Sequence, residues 1–302
     1  MATCDLHMHS TASDGSDAPA ALAALAAAAG LAAIALTDHD TTAGLPQCAA
    51  ACAAAGIDFV PGIEVSADLS AIKPAGADAA APVRGTLHLL GLFIRHDDRQ
   101  LADIHQQMVH AREGRNTQIV QRLCDQGVRI GDDEVQALAA AHGSDVIGRP
   151  HIAQVLLNKG YVKSVHEAFV LYLGQGAAAY VRRDRLDPRR AIDAIHHAGG
   201  LAILAHPVQL QCTSADELEL CIKRLKAMGL DGLETQHCDH TQADVQRLTQ
   251  LAACYHLLPS GGSDYHGDRK AVALGSQQVS LAVYDALRQA WLARTANACG
   301  RL

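Results

Sequence analysis

The sequence is poor in positive charge. Its 302 residues include 25 lysines and arginines against 32 aspartates and glutamates, which gives a formal net charge of -7. A chain with this balance has no overall attraction for nucleic acid or for an anionic membrane surface. A polyanionic partner would therefore have to bind at a local basic patch or through metal ions.

The sequence also lacks any cysteine pair of the CxxC type. Its nine cysteines are scattered from position 4 to position 299 without a compact framework. This predicts reduced, mostly packing thiols and not a disulfide scaffold. The first residues do not have the basic-then-apolar order of a signal peptide, because acidic and histidine residues begin at Asp5. We therefore expect a cytoplasmic protein.

One stretch without charge, from Ala18 to Leu36, has about the length of a membrane span. Most of it is alanine, which is scarcely hydrophobic, and Pro19 and Gly30 mark the beginning and end of a helix. It predicts a helix followed by a short buried strand. With 49% hydrophobic and 19% charged residues, the chain can bury a sizeable core, as one large domain or one with an insertion.

Short apolar runs bounded by glycine, proline or aspartate predict seven strands, and alanine- and leucine-periodic runs predict helices. The predicted strands are 3–8, 32–36, 59–63, 86–93, 201–205, 230–235 and 257–262. Strands that alternate with helices indicate an α/β fold with a mainly parallel sheet. Seven such units predict a closed or nearly closed β/α barrel.

Residues 97–185 interrupt this pattern. Helices are predicted there at 100–127, 132–141, 152–159 and 165–173, with no strand between them. We expect residues 1–96 and 186–302 to form the barrel domain, and 97–185 to form an inserted helical subdomain over the barrel mouth.

The segment Asp5-Leu-His-Met-His-Ser10 places two imidazoles, His7 and His9, on one face of a strand, where they can bind one metal ion together. Taken alone, such a pair is equally well explained as part of a surface strand. In β/α barrels, however, the active site lies at the carboxyl ends of the strands. The further candidate ligands near strand ends are Asp14, His39, Glu64, His88, His206, Asp264 and His266. His88 fits this rule least well, because it lies near the start of its run.

Nitrogen and oxygen ligands without cysteine suit Mn²⁺, Zn²⁺ or Fe²⁺ and argue against a structural thiolate zinc site. Nine ligands exceed what one ion needs, so two or three divalent ions are expected, with Mn²⁺ as the first choice. Asp5, Asp38 and Asp40 flank imidazole ligands and are expected to orient them by accepting the second ring N–H.

These motifs together resemble the PHP (polymerase and histidinol phosphatase) family of metal-dependent phosphoesterases. The segments that carry the resemblance are Asp5 to Ser10, Ser13-Asp-Gly15, Thr37-Asp-His-Asp-Thr41, Gly62-Ile-Glu64, His206-Pro207 and Ser263-Asp-Tyr-His266. The resemblance implies a distorted (β/α)7 barrel with a cluster of up to three metals. It also implies three ligand sets: His7, His9, Glu64 and Asp264; then Glu64, as a bridge, with His88 and His206; then Asp14, His39 and His266.

Within the family, the helical insertion with Gly148-Arg149-Pro150-His151 resembles that of nucleoside 3′,5′-bisphosphate phosphatases, and related members trim RNA from the 5′ end. The segment has a helix-start pattern, so backbone N–H groups and Arg149, with Gly148 and His151, are expected to receive a phosphate. The alternative is an ordinary helix cap with a solvated arginine. For the Arg182-Arg183 pair, a solvated surface is the preferred interpretation.

The sequence contains no glycine-rich phosphate loop of the Gly-Lys-Ser type, so we expect a metal-bound hydroxide and not a side chain as the nucleophile. The leading hypothesis is a phosphatase that removes the 3′-phosphate of a nucleoside 3′,5′-bisphosphate. The alternatives are a 5′-3′ exoribonuclease on short 5′-phosphorylated RNA, a histidinol phosphatase, an amidohydrolase, and a nucleic-acid-binding regulatory protein with an inactive barrel. We predict no membrane association and no stable protein partner.

Overall fold

The computed structural model describes residues 2–73, 84–141, 147–174, 176–181 and 185–299. Eight strands in these ranges form one sheet in the order β7-β6-β5-β4-β3-β2-β1-β8. The strands are β1 (Thr3–Asp5), β2 (Leu31–Leu36), β3 (Asp58–Ala67), β4 (Leu87–Leu92), β5 (Leu201–Leu204), β6 (Gly232–Gln236), β7 (Leu258–Gly261) and β8 (Val279–Ser280).

The sheet nearly closes into a barrel. The segment after β1 lies beside the segment after β7, where the Leu6 N–H donates to Gly261 O at 3.1 Å and the Asp264 N–H donates to His7 O at 2.8 Å. Met8 and Tyr265 form a parallel bridge in the same region. The predicted α/β barrel is confirmed, and its closure brings the first and last strands of the motif set together.

The sheet is mixed, whereas the sequence predicts a mainly parallel one. β1, β2 and β3 pair in parallel, as do β5, β6 and β7, but β4 is antiparallel to both of its neighbours. The short β8, which was not predicted, pairs antiparallel with β1. Because β4 runs in the opposite direction, its first residues lie at the edge where the other strands end. This explains why His88, at the start of its run, differs from the other candidates.

Both faces of the sheet are buried, which explains the continuous apolar runs of its strands. Along β2, Ile34 and Leu36 pack in the cluster that the surrounding helices cover. Ala33 and Ala35 point to the other face and pack in a second cluster with residues of the C-terminal helix. The alternation of side chains along a strand therefore divides the core into two layers.

Ten α-helices accompany the strands in the described ranges. They are α1 (Ala21–Ala28), α2 (Leu45–Ala55), α3 (Arg99–Asp125), α4 (Asp132–Ala141), α5 (Arg149–Asn158), α6 (Val165–Ala168), α7 (Pro188–His197), α8 (Ala215–Ala227), α9 (Gln242–Cys254) and α10 (Leu281–Cys299). A π-helical turn, Phe169–Leu173, follows α6. None of the described helices combines the length and apolar character needed to cross a membrane.

Helices α3 to α6, which lie between β4 and β5, share an apolar cluster separate from that of the barrel. Ile119 and Leu123 from α3 pack there with Ile152 and Leu156 from α5. The first half of α3 instead packs on the barrel, with Leu101 buried in the barrel cluster. Helix α3 therefore connects the two cores, beginning on the barrel and ending among α4, α5 and α6.

Candidate metal centre

His7 and His9 lie just beyond the end of β1, with fully buried side chains. The Nε2 atoms of His7 and His9 are 3.5 and 3.2 Å from Glu64 Oε2. The same two atoms are 3.4 and 3.1 Å from Asp264 Oδ1, which arrives from the loop after β7. Three segments of the chain therefore bring two imidazoles and two carboxylates to one point.

The carboxylate of Glu64, on β3, lies at the centre of the cluster. Its Oε2 is 3.0 Å from His39 Nδ1, and its Oε1 is 2.9 Å from His88 Nδ1 and 2.8 Å from His206 Nε2. His88 reaches this position from the first residues of the antiparallel β4. A single buried carboxylate thus lies within 3.5 Å of five imidazoles from four different segments.

Asp14 completes the other side of the cluster from the loop after β1. Its Oδ1 is 3.3 Å from His266 Nε2, and its Oδ2 is 3.8 Å from His39 Nε2. His9 Nδ1 is 3.8 Å from Asp14 Oδ1. The structure therefore brings all nine sequence-predicted ligands together.

The donor atoms fit divalent metal ions. Overlapping groups of three or four of these residues have donor atoms within 4.8 Å of one another, and one group contains His9, Asp14, His39 and His266. His7 Nε2, His9 Nε2 and Glu64 Oε2 are buried and make no hydrogen bond of good geometry with the described residues. Buried polar atoms of this kind are costly unless a partner satisfies them, and a cation at this point would do so.

The electrostatics of the cluster agree with this chemistry. Burial alone would raise the pKa of Glu64, but the neighbouring imidazoles, His39 first, outweigh burial and hold the pKa well below its ordinary value. Burial opposes the charged form of His9, yet the adjacent carboxylates of Asp264 and Glu64 raise its pKa to about 10. The carboxylates that favour a ring proton at this point would equally favour a metal cation in its place.

Gly262 is required by the close approach of two chain segments. A Cβ at this position would overlap the Cβ and backbone nitrogen of His7. Only glycine allows the chain after β7 to pass this close to a candidate ligand.

Two buried residues at the site were not selected from the sequence. Glu234 is on β6, with its Oε1 3.0 Å from His7 Nδ1. His237 follows β6, with its Nε2 3.3 Å from Asp264 Oδ2. Burial opposes charge on His237, but Glu234 and Asp264 raise its pKa to about 10. The signal that could have revealed them is their position at the carboxyl end of a parallel strand, as for the other candidates.

The three flanking aspartates have hydrogen bonds other than those we expected. Asp5 accepts from the backbone N–H groups of Ser263, at 2.9 Å, and Gly275, at 2.8 Å. Asp38 accepts from the Ser10 N–H and hydroxyl.

Asp40, the third of these aspartates, accepts from the Ser66 N–H and from Arg112 Nη2. These bonds fix the loops that carry the ligands. The second ring nitrogen of His7 instead contacts the buried carboxylate of Glu234, which comes from β6, a distant segment of the chain.

The Gly-Arg-Pro-His segment begins α5 and faces the cluster. The Gly148 N–H donates to His151 Nδ1 at 3.0 Å, and both residues line a small cavity with Asp14 and His39. Arg149 Nη1 donates to Leu173 O at 2.9 Å. Arg182 and Arg183 lie outside the described residues.

A cavity of about 220 Å³ joins this segment to the metal-ligand cluster. Its cationic lining consists of Arg112, Arg115, Arg149 and Arg185, and it reaches the cluster at Asp14, His39 and His88. Burial, together with the charges of Arg185 and Arg112, lowers the pKa of Arg149. Several guanidinium groups facing one cavity favour an anionic ligand.

A second cavity, of about 550 Å³, opens on the other side of Asp14. Its lining includes His266, His151, Gln154, Phe169 and Lys270. Phe169 borders both cavities. The ligand cluster is therefore accessible from two sides, and one side is markedly cationic.

A nearly closed β/α barrel with a cluster of nitrogen and oxygen donors at one edge is typical of metal-dependent hydrolases. The family model described as the PHP domain matches residues 5–205, more than half of the chain. The chain therefore belongs to the PHP family, and the resemblance found in the sequence is confirmed.

Three relatives with assigned functions are similar over most of their length. A 5′-3′ exoribonuclease of Haemophilus influenzae is 34% identical over 95% of this chain and 97% of its own. A phosphoribosyl 1,2-cyclic phosphate 1,2-diphosphodiesterase of Eggerthella lenta is 35% identical, over 87% and 94%. A 3′,5′-nucleoside bisphosphate phosphatase of Chromobacterium violaceum is 33% identical, over 88% of each chain.

Among solved structures, a protein of Bifidobacterium adolescentis described as a metal-dependent phosphoesterase is similar. Its TM-score is 0.81, with 29% identity over 97% of this chain and 96% of its own. The chain is therefore a phosphoesterase of the PHP family. The names of its relatives share this chemistry and differ in substrate, so they do not identify the substrate of this chain.

Proposed function

We propose that this enzyme hydrolyses a phosphate ester of a small nucleotide, and that it removes the 3′-phosphate of nucleoside 3′,5′-bisphosphates. The observation that carries the proposal is the cavity lined by four arginines, which opens directly onto the metal-ligand cluster. A substrate with two phosphates needs two anion sites a short distance apart, and the cluster and the arginine cavity provide this pair.

The nine clustered ligands would hold two or three divalent ions, with Mn²⁺ as the first choice, in the three sets that the family resemblance implies. Such ions neutralise phosphate oxygens and lower the pKa of a bound water. The role of the chain is to hold its donor atoms in place. Glu64 does so from the rigid strand β3, with oxygen atoms directed at both His7 and His206.

Arg149 is the residue that we expect to contact the second phosphate. Its guanidinium lies 5.7 Å from the ring centroids of both Phe169 and Tyr180, and its Nη1 is bonded to Leu173 O. These contacts fix the orientation of the group before a ligand arrives, so little side-chain entropy is lost on binding. The cationic cavity beside Arg149 attracts anions, although the whole chain carries a negative net charge.

We further propose that residues 97–185 form a helical subdomain that caps the site. Arg112 comes from α3, Arg149 from α5, and Phe169 from the π-helical turn, and all three line the cavity. The barrel supplies the ligand cluster and the inserted helices supply the cationic wall. In this arrangement, residues of the barrel hydrolyse the phosphate ester, and residues of the insertion select the substrate.

A second candidate function is 5′-3′ removal of nucleotides from short 5′-phosphorylated RNA. It is supported by the larger cavity on the other side of Asp14, because the ligand cluster then lies between two open spaces. A strand could run through both, with Phe169 as a surface on which a base can stack. The H. influenzae relative carries this activity in its name.

A substrate panel with Mn²⁺ separates the candidates. It contains adenosine 3′,5′-bisphosphate, 3′-AMP, histidinol phosphate, a cyclic phosphate ester, and short RNA with a 5′-phosphate or a 5′-hydroxyl. We expect the bisphosphate to give the highest kcat/KM, with 5′-AMP and inorganic phosphate as products. Preferred shortening of 5′-phosphorylated RNA would support the second candidate. Absence of hydrolysis of every nucleotide and RNA would contradict both.

A further inference from the structure

Glu234 makes two hydrogen bonds that connect strands of the ligand cluster. Its side chain is completely buried. Its Oε1 is 3.0 Å from His7 Nδ1, and its Oε2 accepts from the His206 N–H at 2.6 Å. The two partners belong to different segments, the chain beyond β1 and the chain beyond β5. One carboxylate on β6 therefore contacts two candidate ligands at once.

The bond to His7 decides which ring nitrogen carries the proton. A carboxylate can only accept, so His7 Nδ1 must be the donor. In the neutral ring, Nε2 then carries the lone pair, and Nε2 is the atom that faces Glu64 Oε2 and Asp264 Oδ1. Glu234 thus holds His7 in the tautomer and orientation that a metal ligand needs.

The bond to His206 holds an unusual backbone. His206 has φ +26° and ψ +67°, in a region that residues other than glycine rarely adopt. Conformations of this kind persist when the surrounding structure fixes them, and they concentrate at functional sites. The same residue directs its Nε2 to Glu64 Oε1 at 2.8 Å. Glu234 therefore supports the backbone conformation that presents this ring.

We propose that Glu234 is a positioning residue that fixes the ring of His7 and the backbone of His206 for metal binding. The inference rests on the metal-binding role proposed above for these two histidines. Glu234 does not need to contact an ion or the substrate. It affects the affinity of the site for metal ions and the number of ions bound.

Glutamine is the informative substitution at this position. Its amide offers one acceptor oxygen and one NH₂ donor, whereas both His7 Nδ1 and the His206 N–H need an acceptor. Glu234→Gln must leave one N–H without an acceptor, or turn His7 into the tautomer that protonates Nε2. Either outcome disturbs one ligand while the side chain keeps nearly the same size.

Asp231 offers a matched control on the residue before β6. Its Oδ2 also lies near an imidazole nitrogen, His196 Nε2 at 2.7 Å, and accepts from the backbone N–H of Ala202 at 2.9 Å. It lies at the opposite end of the strand from the ligand cluster. Asp231→Asn perturbs the same kind of contacts without touching the metal centre.

The experiment measures bound Mn²⁺ and Zn²⁺ per chain by elemental analysis after dialysis, and metal affinity by competition with a chelating dye. We expect Glu234→Gln to weaken the affinity for at least one ion by about 10- to 100-fold, the range found for residues that orient metal ligands. Asp231→Asn should bind like the wild type. Circular dichroism on the same samples confirms that each variant is folded.

The outcomes separate the two proposals. Wild-type protein that binds no stoichiometric metal would overturn the metal centre itself. Wild-type binding with an unchanged affinity in Glu234→Gln would overturn the role of Glu234 alone. If Glu234→Gln does not fold, Glu234→Asp, which keeps both acceptors on a shorter side chain, takes its place. Weakened metal affinity in Glu234→Asp supports the proposal, and unchanged affinity overturns it.

Discussion

Substitution of Arg149 by methionine should affect one class of substrate and spare another. If this guanidinium binds the second phosphate of a nucleoside 3′,5′-bisphosphate, its loss matters only for substrates that carry that phosphate. A hydrogen bond to a charged group contributes about 1.5–3 kcal/mol. Since 1.36 kcal/mol corresponds to a factor of ten in rate, kcat/KM for adenosine 3′,5′-bisphosphate should fall about 10- to 150-fold. With 3′-AMP, kcat/KM should stay close to the wild-type value.

The structure supplies the controls for this prediction. Arg122, in α3, donates to the carbonyl oxygen of Tyr180 from outside the two cavities, so Arg122→Met reports the loss of an arginine from the inserted helices alone. Arg149→Lys keeps the charge but loses the planar fork, and we expect an intermediate loss. Because Arg149 also bonds Leu173 O, thermal melts must show that each variant is folded at the assay temperature.

Phosphate release is measured with both substrates over a range of concentrations, so that kcat and KM are separated. An equal loss with the bisphosphate and with 3′-AMP would show that Arg149 acts on the fold or on the metal centre. An unchanged kcat/KM for the bisphosphate would show that the second phosphate binds elsewhere. Either result would refute the assignment of the arginine cavity to this phosphate.

Four further predictions follow from the same structure. Asp14→Ala should abolish phosphate release and leave the circular dichroism spectrum unchanged, because Asp14 lies at the accessible side of the cluster; retained activity would remove it from the site. Treatment with EDTA should abolish activity and lower Tm, and added Mn²⁺ should restore both; activity that survives chelation would contradict a metal-dependent reaction. Gly262→Ala should lower bound metal per chain, since its Cβ would displace His7; elemental analysis decides this. Asp98→Ala should lower the free energy of unfolding at pH 7 by about 1 kcal/mol, because Asp98 caps α3 and accepts from Gln100 N. Burial would raise the pKa of Asp98, but the hydrogen bond from His197 outweighs it and lowers this pKa. The stabilisation is therefore present above the unfolded pKa of about 3.9 and is lost as the pH falls through the lower folded value, so urea unfolding at pH 3 should show a smaller difference than at pH 7.

Much of the fold and of the candidate site could be predicted from the sequence. The apolar strand runs and the alanine-rich helices are local patterns, because each depends on the spacing of neighbouring residues. The ligand candidates were recognisable because the carboxyl ends of parallel strands in a barrel lie at one edge. Polar residues at these ends therefore lie close together. His7, His9 and Glu64 needed no further information to be placed at the same edge.

Other features were decided only by the tertiary structure. The reversed direction of β4 places His88 beside Glu64, and strand direction depends on pairing between distant segments. Glu234 lies within an ordinary strand pattern, and its importance arises only from its contacts with His7 and His206, which are far away in the sequence.

The arginine cavity is the clearest case of a feature that the sequence did not reveal. Arg112, Arg149 and Arg185 come from three separate segments, and no spacing along the chain connects them. The sequence by itself determined which residues are candidates for the chemistry, because residues at the carboxyl ends of parallel barrel strands share one edge of the sheet. The packing of the helices between β4 and β5 on the barrel decided which charges face the candidate site, because long-range contacts alone bring these side chains together.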